Sequence, residues 1–421
     1  MPTPVSPLVS AHRPNCRFCG SAMDTTFVDL GMSPLCESYV SEAQRHEMEA
    51  FYPLHVYVCG HCFLVQLEEF VSAADIFGDY AYLSSYSDSW VAHARRYTEA
   101  MRERFGIGPQ SLVVEIASND GYLLQHFVAA SVPVVGVEPA ANVAEIAREK
   151  GVRTEVEFFG EAAARRLSAA YGQPDLLLGN NVLAHVPDIN DFVAGMKVML
   201  RPGGVITMEF PHLLRLMDEN QFDTIYHEHF SYLSLFVVER IFGRHGLRLF
   251  DVEELATHGG SLRIYACHAD DADRPSLPAV ASLRAREMVR GLDRLATYGA
   301  FSEQVRETKR AILEFLIEAK RRGNRVVGYG APGKGNTLLN YCGIRTDFLD
   351  FTVDRNPLKQ GKYTPGTHIP IYAPEAIRAA RPDYIFILPW NLKDEIRASL
   401  EYVREWGGKL VVPVPRIEIL E

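Results

Sequence analysis

The chain has 421 residues, of which 47% are hydrophobic and 23% charged, and its formal net charge is −10. This length exceeds what one hydrophobic core supports, so we expect two or three domains. The acidic balance argues against a nucleic-acid partner, because phosphate binding needs clustered Lys and Arg. No apolar run approaches the roughly 18 residues of a membrane span, and the polar, Pro-rich N-terminus lacks a secretory apolar segment, so we expect a cytoplasmic protein without membrane contact.

Two C-x2-C pairs mark the N-terminal part of the chain. They are Cys16/Cys19 and Cys59/Cys62. Without a signal for an oxidising compartment, such pairs predict metal ligands rather than disulfides. Four thiolates fill the tetrahedral shell of a structural Zn²⁺, and the alternative is two reduced turns in a small fold. We therefore predict a small zinc-binding domain over residues 1–75.

After a predicted helix near residues 90–105, the pattern changes to short apolar runs separated by helical or loop segments. The runs are LVVEIA, PVVGVE, DLLLGN and GVITMEF. This alternation predicts a parallel α/β sheet with crossover helices, in a central domain over residues 76–300.

The first of these runs leads into the loop A-S-N-D-G and then into a predicted helix. Glu115 ends the predicted strand, the small residues Ala117 and Gly121 let backbone approach a ligand, and Asn119 and Asp120 supply polar groups. A dinucleotide diphosphate favours bare glycines in such a loop, whereas S-adenosylmethionine has no phosphate and tolerates acidic neighbours. We predict S-adenosylmethionine as cofactor, with a nicotinamide cofactor as the alternative.

Further positions complete the predicted cofactor site. Glu138 ends the second strand about 20 residues after the loop, where an acidic side chain binds both ribose hydroxyls. A third element over 155–160 offers Phe158 or Phe159 to an adenine ring, and Asn180 ends the fourth strand. Ligands bind at this end of the strands in open α/β sheets.

The densest chemical cluster lies in QFDTIYHEHFSYLS, where Tyr226, His227, Glu228 and His229 are consecutive. The spacing H-E-H differs from the H-E-x-x-H of zinc peptidases. A His beside a carboxylate suits a general base near neutral pH, and the alternative is a structural His–Glu pair. We expect function here, because the cluster follows the strand GVITMEF.

A second α/β pattern follows the helical stretch 283–322. The loop GYGAPGKGN comes between a predicted strand and a predicted helix, so its backbone N–H groups suit a diphosphate, and Lys334 adds a point charge. Asn336 ends this loop, and Asp354 comes near the next strand end. We predict a C-terminal Rossmann-like domain over residues 301–421, with a domain kept only as scaffold as the alternative.

Together these motifs resemble the sugar C-methyltransferases that act on deoxy, 4-keto nucleotide sugars. The resemblance covers nearly the whole chain and rests on the Cys pairs, LGMSPLCESYV, EIASNDGYLL, FDTIYHEHFSYLS, HGGSLRIY and GYGAPGKGNTLLNY. It implies a zinc-binding N-terminal domain, a central class I methyltransferase domain of Rossmann-like α/β fold and a C-terminal Rossmann-like domain that binds the nucleotide sugar. The chain departs from the commoner spelling EIGSNDG at Ala117, where a small residue is kept.

The resemblance also implies roles for individual residues. His229 would be the general base that removes the proton beside the keto group, assisted by Tyr226 and Glu228, while Tyr80 and His185 would complete the sugar site. The alignment of Tyr80 is open, because two further tyrosines lie close by. The expected substrate-binding residues are His227, Tyr232, Lys334, Asn336 and Asp354.

The expected activity is C-methylation of a dTDP-linked 4-keto-deoxysugar at the carbon beside the keto group, C-3 in the first place. A sugar carbon becomes nucleophilic only as an enolate, which needs a base at the C–H and donors at the oxygen. The alternatives are C-5 methylation, another nucleotide sugar on the same scaffold, or a non-catalytic zinc- and cofactor-binding interaction protein. We expect a monomer or weak oligomer.

Overall fold

The computed structural model describes residues 14–78 and 83–420. Tyr80 lies outside the described residues. The strands, in chain order, are β1 (Thr25–Ser33), β2 (Tyr52–Val58), β3 (Val65–Leu67), β4 (Val113–Ile116), β5 (Val134–Val137), β6 (Thr154–Glu155), β7 (Leu176–Asn180), β8 (Val205–Pro211), β9 (Ser231–Tyr232), β10 (Leu247–Leu255), β11 (Ser261–His268), β12 (Val326–Tyr329), β13 (Thr352–Val353), β14 (Ile371–Tyr372), β15 (Tyr384–Ile387), β16 (Lys409–Val412) and β17 (Glu418–Leu420).

Fourteen α-helices of very different length accompany these strands in the described residues. They are α1 (Ala73–Phe77), α2 (Asp88–Phe105), α3 (Leu124–Ala129), α4 (Ala141–Glu149), α5 (Glu161–Tyr171), α6 (Ile189–Met199), α7 (Leu213–Asp218), α8 (Leu235–Arg244), α9 (Pro278–Arg290), α10 (Leu295–Gly299), α11 (Phe301–Arg321), α12 (Gly333–Cys342), α13 (Ala376–Ala380) and α14 (Lys393–Ser399). None of the helices in 14–78 and 83–420 combines the length and apolar character that a membrane crossing requires.

The central sheet has seven strands in the order β6-β5-β4-β7-β8-β11-β10. β11 runs antiparallel to both of its neighbours, and the other pairings are parallel. Its middle strands are apolar and buried on both faces, as parallel strands covered by helices must be. This order, with its single antiparallel strand, is that of the class I methyltransferase fold, and the predicted fold class is confirmed.

Two smaller sheets flank the central one. The N-terminal sheet is antiparallel in the order β1-β2-β3-β9, and the C-terminal sheet has the order β14-β13-β12-β15-β16-β17, parallel except for β17. β9 comes from the middle of the chain yet completes the N-terminal sheet. The boundaries predicted at residues 75 and 300 stay predictions, and β9 shows that a segment beyond residue 75 takes part in the N-terminal sheet.

The apolar cores of these parts are continuous. Phe27 of β1 stacks on Phe301 of α11, with ring centroids 4.6 Å apart, in a cluster that reaches the C-terminal sheet. Cys59 and Leu64 belong to a second buried cluster, which includes Phe210 of the central sheet. The N-terminal sheet is therefore packed between the other two parts and is held by both.

Two local expectations differ from the structure. The third strand of the central sheet covers only Thr154–Glu155, so the two phenylalanines that follow lie in a loop. The helical stretch 283–322 is divided into separate helices, because Gly291 ends α9 in the left-handed conformation at φ 87°. Glycine adopts this conformation without the steric penalty of a Cβ atom.

Candidate active site and metal centre

The two Cys pairs converge on one point. The Sγ atoms of Cys16, Cys19, Cys59 and Cys62 all lie within 4.8 Å of one another. The Cys16–Cys62 and Cys19–Cys59 sulfur distances are 3.4 and 3.5 Å. Ligands ~2.3 Å from a tetrahedral Zn²⁺ place sulfurs about 3.8 Å apart, so the four thiols fit this ion. Four protein ligands leave no open coordination position, which makes the zinc structural.

A buried glutamine joins this metal centre to the segment that carries the predicted base. Gln66 of β3 donates from Nε2 to Cys16 Sγ at 3.2 Å, and its Oε1 accepts the Arg17 N–H at 2.9 Å. Its backbone pairs with Ser231 of β9, two residues after His229. No motif marks Gln66 in the sequence, because its partners lie far away along the chain.

The cofactor loop turns sharply at the end of β4. Ala117, Asn119 and Gly121 have positive φ angles of 56°, 49° and 74°. Alanine therefore stands in a left-handed position, where a Cβ atom costs roughly 1–2 kcal/mol relative to glycine. The departure from the spelling EIGSNDG is thus a small strain rather than a change of loop shape.

An unpaired carboxylate lies at the root of this loop. Glu115 is fully buried, and neither of its carboxylate oxygens has a hydrogen-bond partner. Burial, followed by the charges of Glu138 and Asp120, raises the pKa of Glu115 well above its ordinary value. A buried acceptor without a donor indicates a missing partner. The amino group of a bound S-adenosylmethionine is of the kind that this carboxylate lacks.

Two more side chains of the same strand edge have capacity for a ligand. Glu138 accepts the N–H groups of Asn119 and Ala140, each at 3.0 Å, which fixes the carboxylate beside the loop. Burial raises the pKa of Glu138. Asn180 at the end of β7 is buried, and neither its Oδ1 nor its Nδ2 has a partner. This donor set fits S-adenosylmethionine, whose ribose, amino and carboxylate groups need such partners.

The remaining predicted cofactor residues are placed differently. Asp120 is fully buried and accepts from Lys150 Nζ at 3.0 Å and from Ser85, so it fixes the loop. Phe158 is 48% exposed in the loop after β6. Phe159 instead packs edge-on against Phe192 in the core.

The predicted base is held in one tautomer. His229 places Nδ1 2.9 Å from the carbonyl oxygen of Thr224, and a carbonyl only accepts, so Nδ1 carries the proton and Nε2 the lone pair. Burial, followed by the neighbouring His185, His258 and Lys334, lowers the pKa of His229 well below its ordinary value. The imidazole is thus neutral at physiological pH and ready to accept a proton.

Three further side chains surround this imidazole. The ring of Tyr226 lies 4.1 Å from that of His229, the ring of His185 at 4.7 Å and that of Tyr232 at 6.1 Å. Burial lowers the pKa of His185 to about 4, so it is also neutral. Burial and Glu228 raise the pKa of Tyr226, which keeps its phenol protonated as a donor. The structure thus brings these predicted residues together.

The side chains of Glu228 and His227 contact different parts of the structure. The Cys36 thiol lies 3.6 Å from Glu228 Oε1, so the N-terminal segment borders the site. The His227 ring packs against Tyr52 and lies 3.3 Å from the Pro53 carbonyl oxygen, on β2. The predicted substrate residue His227 is therefore not brought to the His229 cluster.

The glycine-rich loop of the C-terminal sheet closes the site from the other side. Gly330 has φ 84°, and an added Cβ would lie 2.6 Å from Pro389. Asp354 accepts the N–H groups of Ala331 at 2.7 Å and of Asn356 at 2.8 Å, so its carboxylate supports the loop. Asn336 donates to the Cys36 carbonyl at 2.6 Å. Asp354 and Asn336 were predicted to bind the substrate. In the structure, their contacts hold the glycine-rich loop in position.

Lys334 of this loop reaches toward the His229 segment. Its Nζ donates to Asn391 Oδ1 at 2.6 Å and lies 4.5 Å from the ring centre of Trp390. The Trp390 indole donates in turn to Asp223 at 2.7 Å. Sequence reasoning missed Asp223, although it stands inside the motif FDTIYHEH.

Comparison with known proteins agrees with this architecture. Family models match as a zinc binding domain over residues 16–77, a methyltransferase domain over 90–252 and a C-methyltransferase C-terminal domain over 256–415. The chain is 37% identical to C-methyltransferase NovU of Streptomyces niveus over 405 residues, which is 96% of each chain. It belongs to the C-methyltransferase family. The family predicted from the motifs is confirmed.

More distant likenesses are confined to part of this C-methyltransferase. The ubiquinone biosynthesis O-methyltransferase of Chelativorans sp. (strain BNC1) is 27% identical over 125 residues, which is 30% of this chain and 48% of that protein. The magnesium protoporphyrin IX methyltransferase of Synechocystis PCC 6803, solved with bound SAM, is 16% identical and covers 45% of this chain and 86% of its own, with a TM-score of 0.33.

As a member of this family, the protein is an S-adenosylmethionine-dependent C-methyltransferase with a structural zinc site. The matched C-terminal model begins at residue 256 and so includes β11, which lies in the central sheet.

Proposed function

We propose that this enzyme methylates the carbon beside the keto group of a dTDP-linked 4-keto-deoxysugar, at C-3, through an enolate formed by His229. The observation that carries the proposal is the neutral, buried imidazole of His229, anchored through Nδ1 to Thr224 and surrounded by neutral polar rings. A hydroxyl or amine carries a lone pair before it loses a proton, whereas a sugar carbon has none until its C–H proton is removed, so this reaction requires a base such as His229.

The residues of this protein have separate roles in the proposed reaction. His229 Nε2 accepts the proton from the carbon beside the ketone, and the electron pair of the C–H bond moves toward the ketone oxygen. Tyr226, protonated at neutral pH, supplies a phenol beside the base. S-adenosylmethionine, when bound, supplies a methyl group already activated by its sulfonium. Glu115, Glu138 and Asn180 would hold it at this edge of the central sheet, and its orientation toward the acceptor carbon would contribute to the rate.

A nucleotide diphosphate is the proposed handle of the substrate. α12 has 10 residues and begins in the glycine-rich loop without a side-chain cap, so its first N–H groups are available to an anion. The loop is linked to the His229 segment, because Lys334 lies over the ring of Trp390 and Trp390 donates to Asp223. The choice of dTDP and of C-3 over C-5 rests on the family resemblance.

We propose a monomer or weak oligomer as the active form. None of the described cysteines forms a disulfide, which suits a reducing compartment, and we propose the cytoplasm.

Calorimetric titration with S-adenosylhomocysteine and then with dTDP tests the proposal. We expect micromolar binding of both ligands. Binding of S-adenosylhomocysteine alone would keep the methyltransferase and refute the dTDP-linked acceptor, and a titration with other nucleotides would then identify the carrier.

A further inference from the structure

The ammonium group of Lys334 is held in place by contacts that lead to the segment of the base. From the first turn of α12 its side chain extends to Asn391 and to the face of Trp390. The indole N–H of Trp390 bonds Asp223, which immediately precedes Thr224, the residue whose carbonyl oxygen anchors His229. The cation is thus held by Asn391 and Trp390, and Trp390 connects it to the motif that carries the base.

The electrostatics agree with this placement. Among the causes that lower the pKa of His229, after burial and His185, is the positive charge of Lys334. Burial lowers the pKa of Lys334 itself to about 8, and Asp223 partly opposes this effect. At neutral pH the group is an ammonium ion, and its lowered pKa makes it a stronger hydrogen-bond donor than an ordinary lysine.

The proposed diphosphate would occupy a different part of the same loop. The first N–H groups of α12 lie at the N-terminal end of the helix. The Lys334 side chain extends from the same turn toward Asn391. A phosphate at the helix N-terminus is held by backbone and does not need this ammonium group.

Enolate formation in a buried site needs more than neutral donors. Removing a proton beside the ketone places a negative charge on the ketone oxygen, and Tyr226 and His185 are both uncharged at neutral pH. A cation at the developing oxyanion stabilises it most strongly where water is excluded.

We propose that Lys334 donates a hydrogen bond to the ketone oxygen of the substrate and stabilises the enolate, a role that rests on the proposed function. The C–H electron pair forms the C=C bond, the carbonyl π pair moves to the oxygen, and the proton goes to His229 Nε2. When the carbon takes the methyl group, the oxygen pair re-forms the ketone, the methyl–sulfur bond breaks and the proton on His229 passes to water.

Deuterium exchange isolates enolate formation from methyl transfer. Zinc-loaded enzyme with S-adenosylhomocysteine and a dTDP-linked 4-keto-6-deoxysugar is placed in D2O, and NMR follows the proton signals beside the keto group. Lys334→Met should slow the exchange by about 100-fold or more, the scale for loss of one oxyanion donor. Its affinity for dTDP should change less than about threefold, and Lys334→Arg should retain part of the exchange. The control is Lys393→Met, which removes a surface pair with Glu418 and should exchange as wild type does.

Wild-type exchange in Lys334→Met would overturn the proposal. An equal loss of dTDP affinity and exchange would overturn it too, because Lys334 would then hold the diphosphate. Absence of exchange in the wild-type enzyme would refute the proposed function itself, and the proposal with it.

Discussion

Gln66 offers a sharp test of the link between the metal centre and the active site. Its side chain is 1% exposed and bonds both Cys16 Sγ and the Arg17 N–H. Leucine is similar in size to glutamine but has no polar atoms, so Gln66→Leu removes both contacts. A hydrogen bond to a charged group is worth about 1.5–3 kcal/mol, and a donor left unpaired costs about 1–3 kcal/mol. We therefore expect Zn²⁺ affinity to fall 10–100-fold, the usual effect of losing a group that supports a metal ligand.

Gln66→Glu separates charge from shape. The glutamate keeps an acceptor for the Arg17 N–H but directs a carboxylate at the Cys16 thiolate, so it should lose zinc more readily than Gln66→Leu. Gln44→Leu, an exposed change in the same part of the chain, should retain zinc as wild type does.

The assay is release of zinc to a chelating dye, followed by turnover and by titration with S-adenosylhomocysteine. Metal loss should abolish turnover, because β3 and β9 pair only two residues beyond His229. It should leave S-adenosylhomocysteine binding within a few fold, because the cofactor residues lie on the central sheet. Wild-type zinc retention in Gln66→Leu, or full turnover of zinc-free enzyme, would refute the reasoning.

Three further predictions concern the base, the metal ligands and a buried acid. His229→Asn should lower turnover by roughly 100-fold or more with S-adenosylhomocysteine binding nearly intact, and an unchanged rate would remove His229 from the mechanism. Cys16→Ser or Cys62→Ser should lose metal and thermal stability together, and full metal content with unaltered melting would contradict the zinc site. Burial raises the pKa of Asp223 from 3.8 to about 6. Its contribution to stability is therefore fully present below pH 3.8 and is lost between that pH and about pH 6, by at most about 3 kcal/mol, so denaturant unfolding of Asp223→Asn from pH 4 to 7 should show a smaller decline than wild type. Parallel declines would place this titration elsewhere.

Much of the fold and of the site could be predicted from local sequence patterns. The Cys pairs, the strand–loop–helix at Glu115 and the motif around His229 each predict a position from residues close together in the chain. The proximity of Glu115, Glu138 and Asn180 followed from the general rule that parallel strands present their carboxyl ends at one edge.

Such patterns could not predict contacts between segments that are far apart in the chain. Cys36 meets Glu228 across 192 residues, and Trp390 meets Asp223 across 167. In neither pair does the local sequence around one residue indicate the other. The direction of His227 was equally hidden, because it depends on the packing of the motif against β2.

Transfer of a ¹³C-labelled methyl group tests the central claim most directly. The enzyme is incubated with methyl-labelled S-adenosylmethionine and a dTDP-linked 4-keto-deoxysugar, and the product is examined by NMR. We predict a labelled methyl group bonded to the carbon beside the ketone, at C-3. Label on oxygen, or none in the sugar, would contradict base-generated C-methylation, and label at C-5 would keep the enolate while correcting its position.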